Sequence, residues 1–135
     1  MNSRGLTLIE IIGGVCVAVL VALMAMVHMG GHRGRRLNTT VARLKHLEGV
    51  LQLFKGDYER YPEKFEDLVH RPSYCDSEKW PTRGYLQELP VDEWGRRFLY
   101  RVPGERGPFD LVSWGRDGKP GGDGEDTDLR SKPLR

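Results

Sequence analysis

Arg4-Gly5-Leu6-Thr7-Leu8-Ile9-Glu10 opens an apolar run that reaches Met29, and the reading of this run decides the architecture of the whole chain. Leu6 to Met29 is 24 residues, and Glu10 and His28 are its only ionisable members. As a helix it covers about 36 Å, enough for a hydrocarbon core of about 30 Å with some tilt. Glu10 is the anomaly. A carboxylate inside a membrane helix costs about 2.5–3.5 kcal/mol at worst-case depth and calls for a partner. Thr7 and Glu10 stand at i and i+3, so they share the more polar face.

Three explanations rest on the residues alone. A cleaved secretory signal has an apolar core of about 7–15 residues followed by a small-x-small cut site. Here the core is longer, carries a glutamate, and has Ala22 and Ala25 at the wrong spacing. An ordinary single-span anchor accounts for the length and leaves Glu10 without a reason. A buried core helix of a soluble protein does not run to this length.

Of the 135 residues, the remaining hundred or so suffice for one small folded domain. Net charge is +2, from 21 basic and 19 acidic residues, and falls to +1 if Arg4 leaves with a leader. That is too little to indicate nucleic acid as a partner. Cys16 lies in the apolar run and Cys75 in a polar stretch, so the two do not pair within one chain.

Past the apolar run, Gly30, Gly31 and Gly34 mark a flexible or bent junction. Val41, Leu44, Leu47, Val50, Leu51, Phe54 and Tyr58 then recur at three- and four-residue steps. His46 falls on the opposite, solvent face. This predicts one long helix with a buried stripe in its second half. Gly56-Asp57 and Tyr61-Pro62 mark its end. Phe65 to Val69 can form a short second helix, and 71–81 a polar loop over the stripe. From Leu86 to Trp114 strands are expected, with a type I turn at Asp92-Glu93-Trp94-Gly95. Phe98, Tyr100 and Val102 alternate with Arg97, Leu99 and Arg101, and Phe109 to Trp114 reads as a second strand. Two strands are marginal alone, so they must pack on the helix, giving an α+β fold.

Trp114 to Leu129 holds five acids and five glycines in 16 residues. Carboxylates on tightly turning backbone suit Ca²⁺, which takes about six to eight oxygen ligands. The spacing is not that of an EF-hand, and no second repeat exists for a β-roll. On composition alone a disordered acidic tail stands beside the calcium reading.

The N-terminal pattern resembles the class III signal of type IV pilins and pseudopilins: a short basic leader ending in Gly5, then Leu6-Thr7-Leu8-Ile9-Glu10 and an apolar helix. The resemblance implies cleavage between Gly5 and Leu6 by a prepilin peptidase and methylation of the new terminus. Glu10 would become the fifth mature residue and meet the amino terminus of a neighbouring subunit. An ammonium and a carboxylate in a low dielectric relieve each other's desolvation. Further along, Tyr61-Pro62, Gly84-Tyr85-Leu86, Leu89-Pro90, Asp92-Glu93-Trp94-Gly95, Phe109-Asp110-Leu111, Ser113 to Gly118 and Asp126-Thr127-Asp128-Leu129 follow in order. Together these look like the major pseudopilins of the type II secretion system, over nearly the whole chain.

That resemblance implies a leader at 1–5, a transmembrane and assembly helix at 6–29, and a periplasmic pilin-like domain at 30–135. The implied fold is a long N-terminal helix, membrane-spanning in its first half, packed on a small antiparallel β-sheet with a calcium-binding C-terminal loop. The calcium ligands carried over are the side chains of Asp117, Asp126 and Asp128 and the carbonyls of Trp114 and Lys119. The implied function is a structural subunit of the helical pseudopilus that drives export of folded proteins across the outer membrane. Its partners would be copies of itself, minor pseudopilins, the inner-membrane secretion platform, the prepilin peptidase and the membrane. Positive-charge counting runs against this orientation, because Arg33, Arg35 and Arg36 follow the span. Alternatives are a type IV pilin, a minor pseudopilin, or a membrane-anchored calcium-binding interaction domain. No nucleophile–base spacing points to an enzyme.

Overall fold

The computed structural model describes residues 8–131, with residues 10 and 28–33 described by their backbone alone. Helix α1 runs Leu8–Tyr58, followed by a 3₁₀ turn at Phe65–Leu68. Strands β1 (Leu99–Arg101) and β2 (Asp110–Ser113) come next, then a 3₁₀ turn at Gly124–Asp126 and strand β3 (Leu129–Arg130). The chain divides into two compact units, 1–35 and 36–135. Gly5 and Leu6 lie outside the described residues, and Glu10 is placed in α1 by its backbone.

In the first unit the large apolar side chains from Ile11 to Val27 are each half or more exposed, from Ile11 at 50% to Met24 at 78%. Among the described residues no helix is long and apolar enough to cross a membrane. The uncharged run with described side chains, 11–27, has 17 residues, about 25 Å of helix. In the sequence that run is bounded by Glu10 on one side and His28 on the other.

In the second unit the helical stripe does what its spacing predicts. Leu44, Leu47, Leu51 and Phe54 are at most 2% exposed and form one core with Phe98, Phe109 and Leu111 of the sheet region. Each such side chain contributes about 1.5–3 kcal/mol by leaving water. Val41, expected on the stripe, sits at its edge at 37% exposure, whereas His46 faces solvent as expected. The helix ends one residue past the Gly56-Asp57 signal. Its terminus is Tyr58, and Glu59 takes the left-handed φ of 58° while its N–H donates to the Lys55 carbonyl at 2.8 Å. A non-glycine residue therefore occupies the position that usually selects glycine.

The sheet is antiparallel with order β1-β2-β3. Leu99 pairs with Val112 and Tyr100 with Leu111, while Ser113 pairs with Leu129. Alternation sends Leu111 into the helix-side core and Val112 to the other face. The strands are shorter than the sequence suggests, and β3 was not expected at all. Two residues are too few for a period to register.

The segment 71–81 is also less of a surface loop than its composition predicts. Cys75 is 2% exposed and belongs to the core, and Trp80 meets the Phe54 ring edge-on at 6.5 Å. Phe65–Leu68, expected as helical, is a single 3₁₀ turn, with the Asp67 carboxylate accepting from the Lys64 N–H at 2.9 Å.

Candidate functional site in the C-terminal loop

The loop from Trp114 to Asp128 is anchored by a carboxylate that the sequence reading treated only as a turn residue. Asp92 is 2% exposed. Its Oδ1 accepts from the N–H groups of Trp94 at 3.0 Å and Arg96 at 2.8 Å, the pattern of an Asx-type turn. Its Oδ2 accepts from the Ser113 hydroxyl at 2.7 Å, and Ser113 Oγ accepts in turn from the Gly115 N–H at 3.3 Å. The expected turn is present, with the Gly95 N–H donating to the Asp92 carbonyl at 3.1 Å. It is docked to α1 as well: Arg43 pairs with Glu93 at 2.7 Å and donates to the Val91 carbonyl at 2.8 Å.

From this anchor the loop doubles back on itself. The Arg116 N–H donates to the Glu125 carbonyl at 2.8 Å, so two distant parts of the loop run side by side. The approach is close enough to exclude side chains at two glycines. A Cβ on Gly115 would lie 2.6 Å from the Glu125 carbonyl oxygen, and one on Gly122 would lie 2.6 Å from that of Asp126. Both glycines also have positive φ, 58° and 88°. On the outer sheet face, Val112 shares a cleft of about 260 Å³ with Leu99, Trp114 and Gly118.

The acids of the loop have partners of two kinds. Asp117 accepts from the Lys119 N–H at 3.1 Å, and Asp128 accepts from the Gly121 N–H at 3.1 Å. These two carboxylates thus flank one short piece of backbone, 119–121. Asp128 also lies 3.3 Å from the Arg130 guanidinium. Asp126 is bound differently. Both its oxygens are taken by Arg116, with Nε at 2.9 Å and Nη2 at 2.8 Å, a bidentate pair. Those hydrogen bonds hold the Asp126 carboxyl below its usual range and raise the Arg116 guanidinium above its own.

Set against a calcium shell, the donor chemistry fits at Asp117 and Asp128, which keep oxygen lone pairs beside the Lys119 backbone. It does not fit at Asp126, whose carboxylate is occupied. The Trp114 carbonyl already accepts from the Gly118 N–H at 3.1 Å. Among the described residues no three histidine, cysteine, aspartate or glutamate side chains come together as a metal site would require.

Two arginines were missed in the sequence. Arg96 lies along Gly118, where a Cβ would come 2.6 Å from its Nε, and its Nη1 donates to the carbonyls of Gly115, at 3.1 Å, and Arg116. Arg116 sat in plain view among the acids, but nothing in its spacing says which carboxylate, ten residues away, it will meet.

Comparison with known proteins covers both units of the chain. A family model described as type II secretion system (T2SS), protein G matches residues 28–132. The type II secretion system core protein G of Pseudomonas aeruginosa is 38% identical over 134 residues, covering 95% of this chain and 94% of its own. That of Vibrio cholerae is 30% identical over 132 residues, covering 95% of this chain and 90% of its own. Among solved structures, the major pseudopilin from the type 2 secretion system of enterohaemorrhagic Escherichia coli aligns with a TM-score of 0.60 at 28% identity. It covers 76% of this chain and 90% of that one.

Proposed function

Because this chain belongs to the type II secretion system protein G family, and so is a pseudopilin subunit, we propose that it is the major subunit and polymerises into the helical pseudopilus. Before assembly, residues 6–29 span the inner membrane and 30–135 face the periplasm. The prepilin peptidase cuts between Gly5 and Leu6 and methylates the new terminus. In the polymer, the Glu10 carboxylate meets the amino terminus of the next subunit, so that neither charge stays buried alone. Polymer growth then pushes folded proteins through an outer-membrane channel.

One observation supports this reading above the others. The large apolar residues of α1 from Ile11 to Val27 all stand half or more exposed, which a soluble monomer does not sustain. Lipid covers them first, and neighbouring copies cover them afterwards. Mass spectrometry of the chain recovered from membranes tests the processing step: a methylated Leu6 terminus is expected, and a start near Met29 would remove the reading. Glu10→Gln tests assembly, because a chain that builds filaments as readily as the wild type would leave the carboxylate without its role.

The calcium expectation carries over as a proposal for Asp117 and Asp128 with the carbonyls of Lys119 and Trp114. The placement of the two carboxylates beside the backbone of 119–121 supports it. A bound Ca²⁺ would supply the positive charge between two carboxylates. It would add about 2.7 kcal/mol of stability at a hundredfold excess over its dissociation constant. Chelator should then lower the melting temperature of the second unit, and an unchanged melt would argue against the metal.

A further inference from the structure

We propose that Arg96 and Arg116 are the resident cations of the C-terminal loop, holding the half built on Glu125, Asp126 and Thr127 closed with no metal present. A divalent cation in an acidic loop does two things: it neutralises carboxylates, and it gives backbone carbonyls a positive partner. Here two guanidinium groups divide that work. Arg116 takes both oxygens of Asp126, at 2.9 and 2.8 Å, and its Nη1 lies 3.5 Å from Glu125. Arg96 donates to the carbonyls of Gly115, at 3.1 Å, and of Arg116.

The geometry makes the two arginines cooperate. The Arg116 backbone N–H is bonded to the Glu125 carbonyl at 2.8 Å while its side chain grips the next residue. Backbone and side chain of one residue thus clamp the same 3₁₀ turn, Gly124–Asp126. Arg96 is itself fixed, since its N–H donates to the buried Asp92 carboxylate at 2.8 Å. The loop is therefore tied to the core through Asp92 and Ser113.

The inference does not require calcium at Asp117 and Asp128, because guanidinium groups supply the positive partners of Asp126 and of the Gly115 and Arg116 carbonyls. Two consequences separate it from a metal-ordered loop. Order at 124–127 persists in chelator, and it weakens in high salt, which screens an exposed ion pair. Arg116→Lys can make only a point-charge contact in place of the fork, so it restores the clamp in part.

Hydrogen exchange of the full chain in detergent micelles, run with and without EDTA, reads the clamp directly. The amides of Arg116, Asp126 and Thr127 report it, because each donates within the loop. The β2 amides serve as an internal reference for folding. The wild type should exchange at the same rate with and without EDTA. Arg116→Ala should speed the three reporters about threefold or more while β2 stays protected, with Arg116→Lys in between. Asp126→Asn, which removes the charge and keeps the shape, should speed them as well if Arg116→Ala disturbs the fold. Loss of reporter protection in the wild type on adding EDTA, or an Arg116→Ala chain that exchanges like the wild type, would overturn the proposal.

Discussion

Ser113 Oγ donates to Asp92 Oδ2 at 2.7 Å, with both residues buried, and this bond joins the turn at Asp92 to the last residue of β2, where the acidic loop begins. Asp92 makes three such bonds in all, which is what allows a carboxylate to sit at 2% exposure.

Ser113→Ala takes one donor from the Asp92 carboxylate and puts nothing in its place. A hydrogen bond to a charged group is worth about 1.5–3 kcal/mol, so the urea midpoint should fall accordingly. A loss below about 0.5 kcal/mol would mean water replaces the hydroxyl at no cost.

Phe54→Ala and Leu53→Ala form a contrasting pair of neighbours. Phe54 is fully buried against Tyr58, Trp80 and Tyr85, and its truncation should cost about 3–5 kcal/mol. That is a large part of the total stability of a small domain. Leu53 is 60% exposed, so Leu53→Ala should stay within about 0.5 kcal/mol. Equal losses in denaturant melts would contradict the placement of the helical stripe.

Glu59→Gly should stabilise the second unit. The position has φ 58°, which costs an L side chain about 1–2 kcal/mol, and glycine adopts it freely. After the extra chain entropy of glycine, a net gain of roughly 0.5–1 kcal/mol remains, a rise of about 4 °C in melting temperature. A lower melting temperature would show that the Glu59 side chain itself matters.

Alkaline pH should destabilise the fold. Burial, more than any other cause, pushes the Cys75 thiol above its ordinary 9.0 and the Tyr85 phenol above its ordinary 10.0. The hydrogen bond from the Tyr85 hydroxyl to Asp57 adds to the second shift. Because these folded-state values are raised, their contribution is fully present below the unfolded values and is lost as pH rises past them. Urea midpoints should therefore hold steady from pH 7 to about 9 and then decline. A midpoint that rises above pH 10 would contradict the burial of both groups.

The long helix, its buried stripe, the type I turn and the residues that carry the family likeness were all legible along the chain. A 3.6-residue period and a terminal signal are local patterns, and burial of Leu44, Leu47, Leu51 and Phe54 follows from where they recur. Cys75 was not legible in this way. It stands among polar neighbours and enters the core only because 71–81 folds over the aromatic cluster of α1. The helix end at Gly56-Asp57 was legible to within one residue, whereas the left-handed residue that follows it is a glutamate rather than a glycine.

For the loop, composition determined that carboxylates and glycines would be concentrated at the end of the chain, and so that some cation must balance them. Only the tertiary structure decided which cation meets which carboxylate. Arg116 and Asp126 are ten positions apart, and Arg96 reaches carbonyls some twenty residues further along. Contacts of that span depend on how the turn at Asp92 and the strand ending at Ser113 are brought together. That juxtaposition is set by packing on α1 and is encoded in no single stretch of residues.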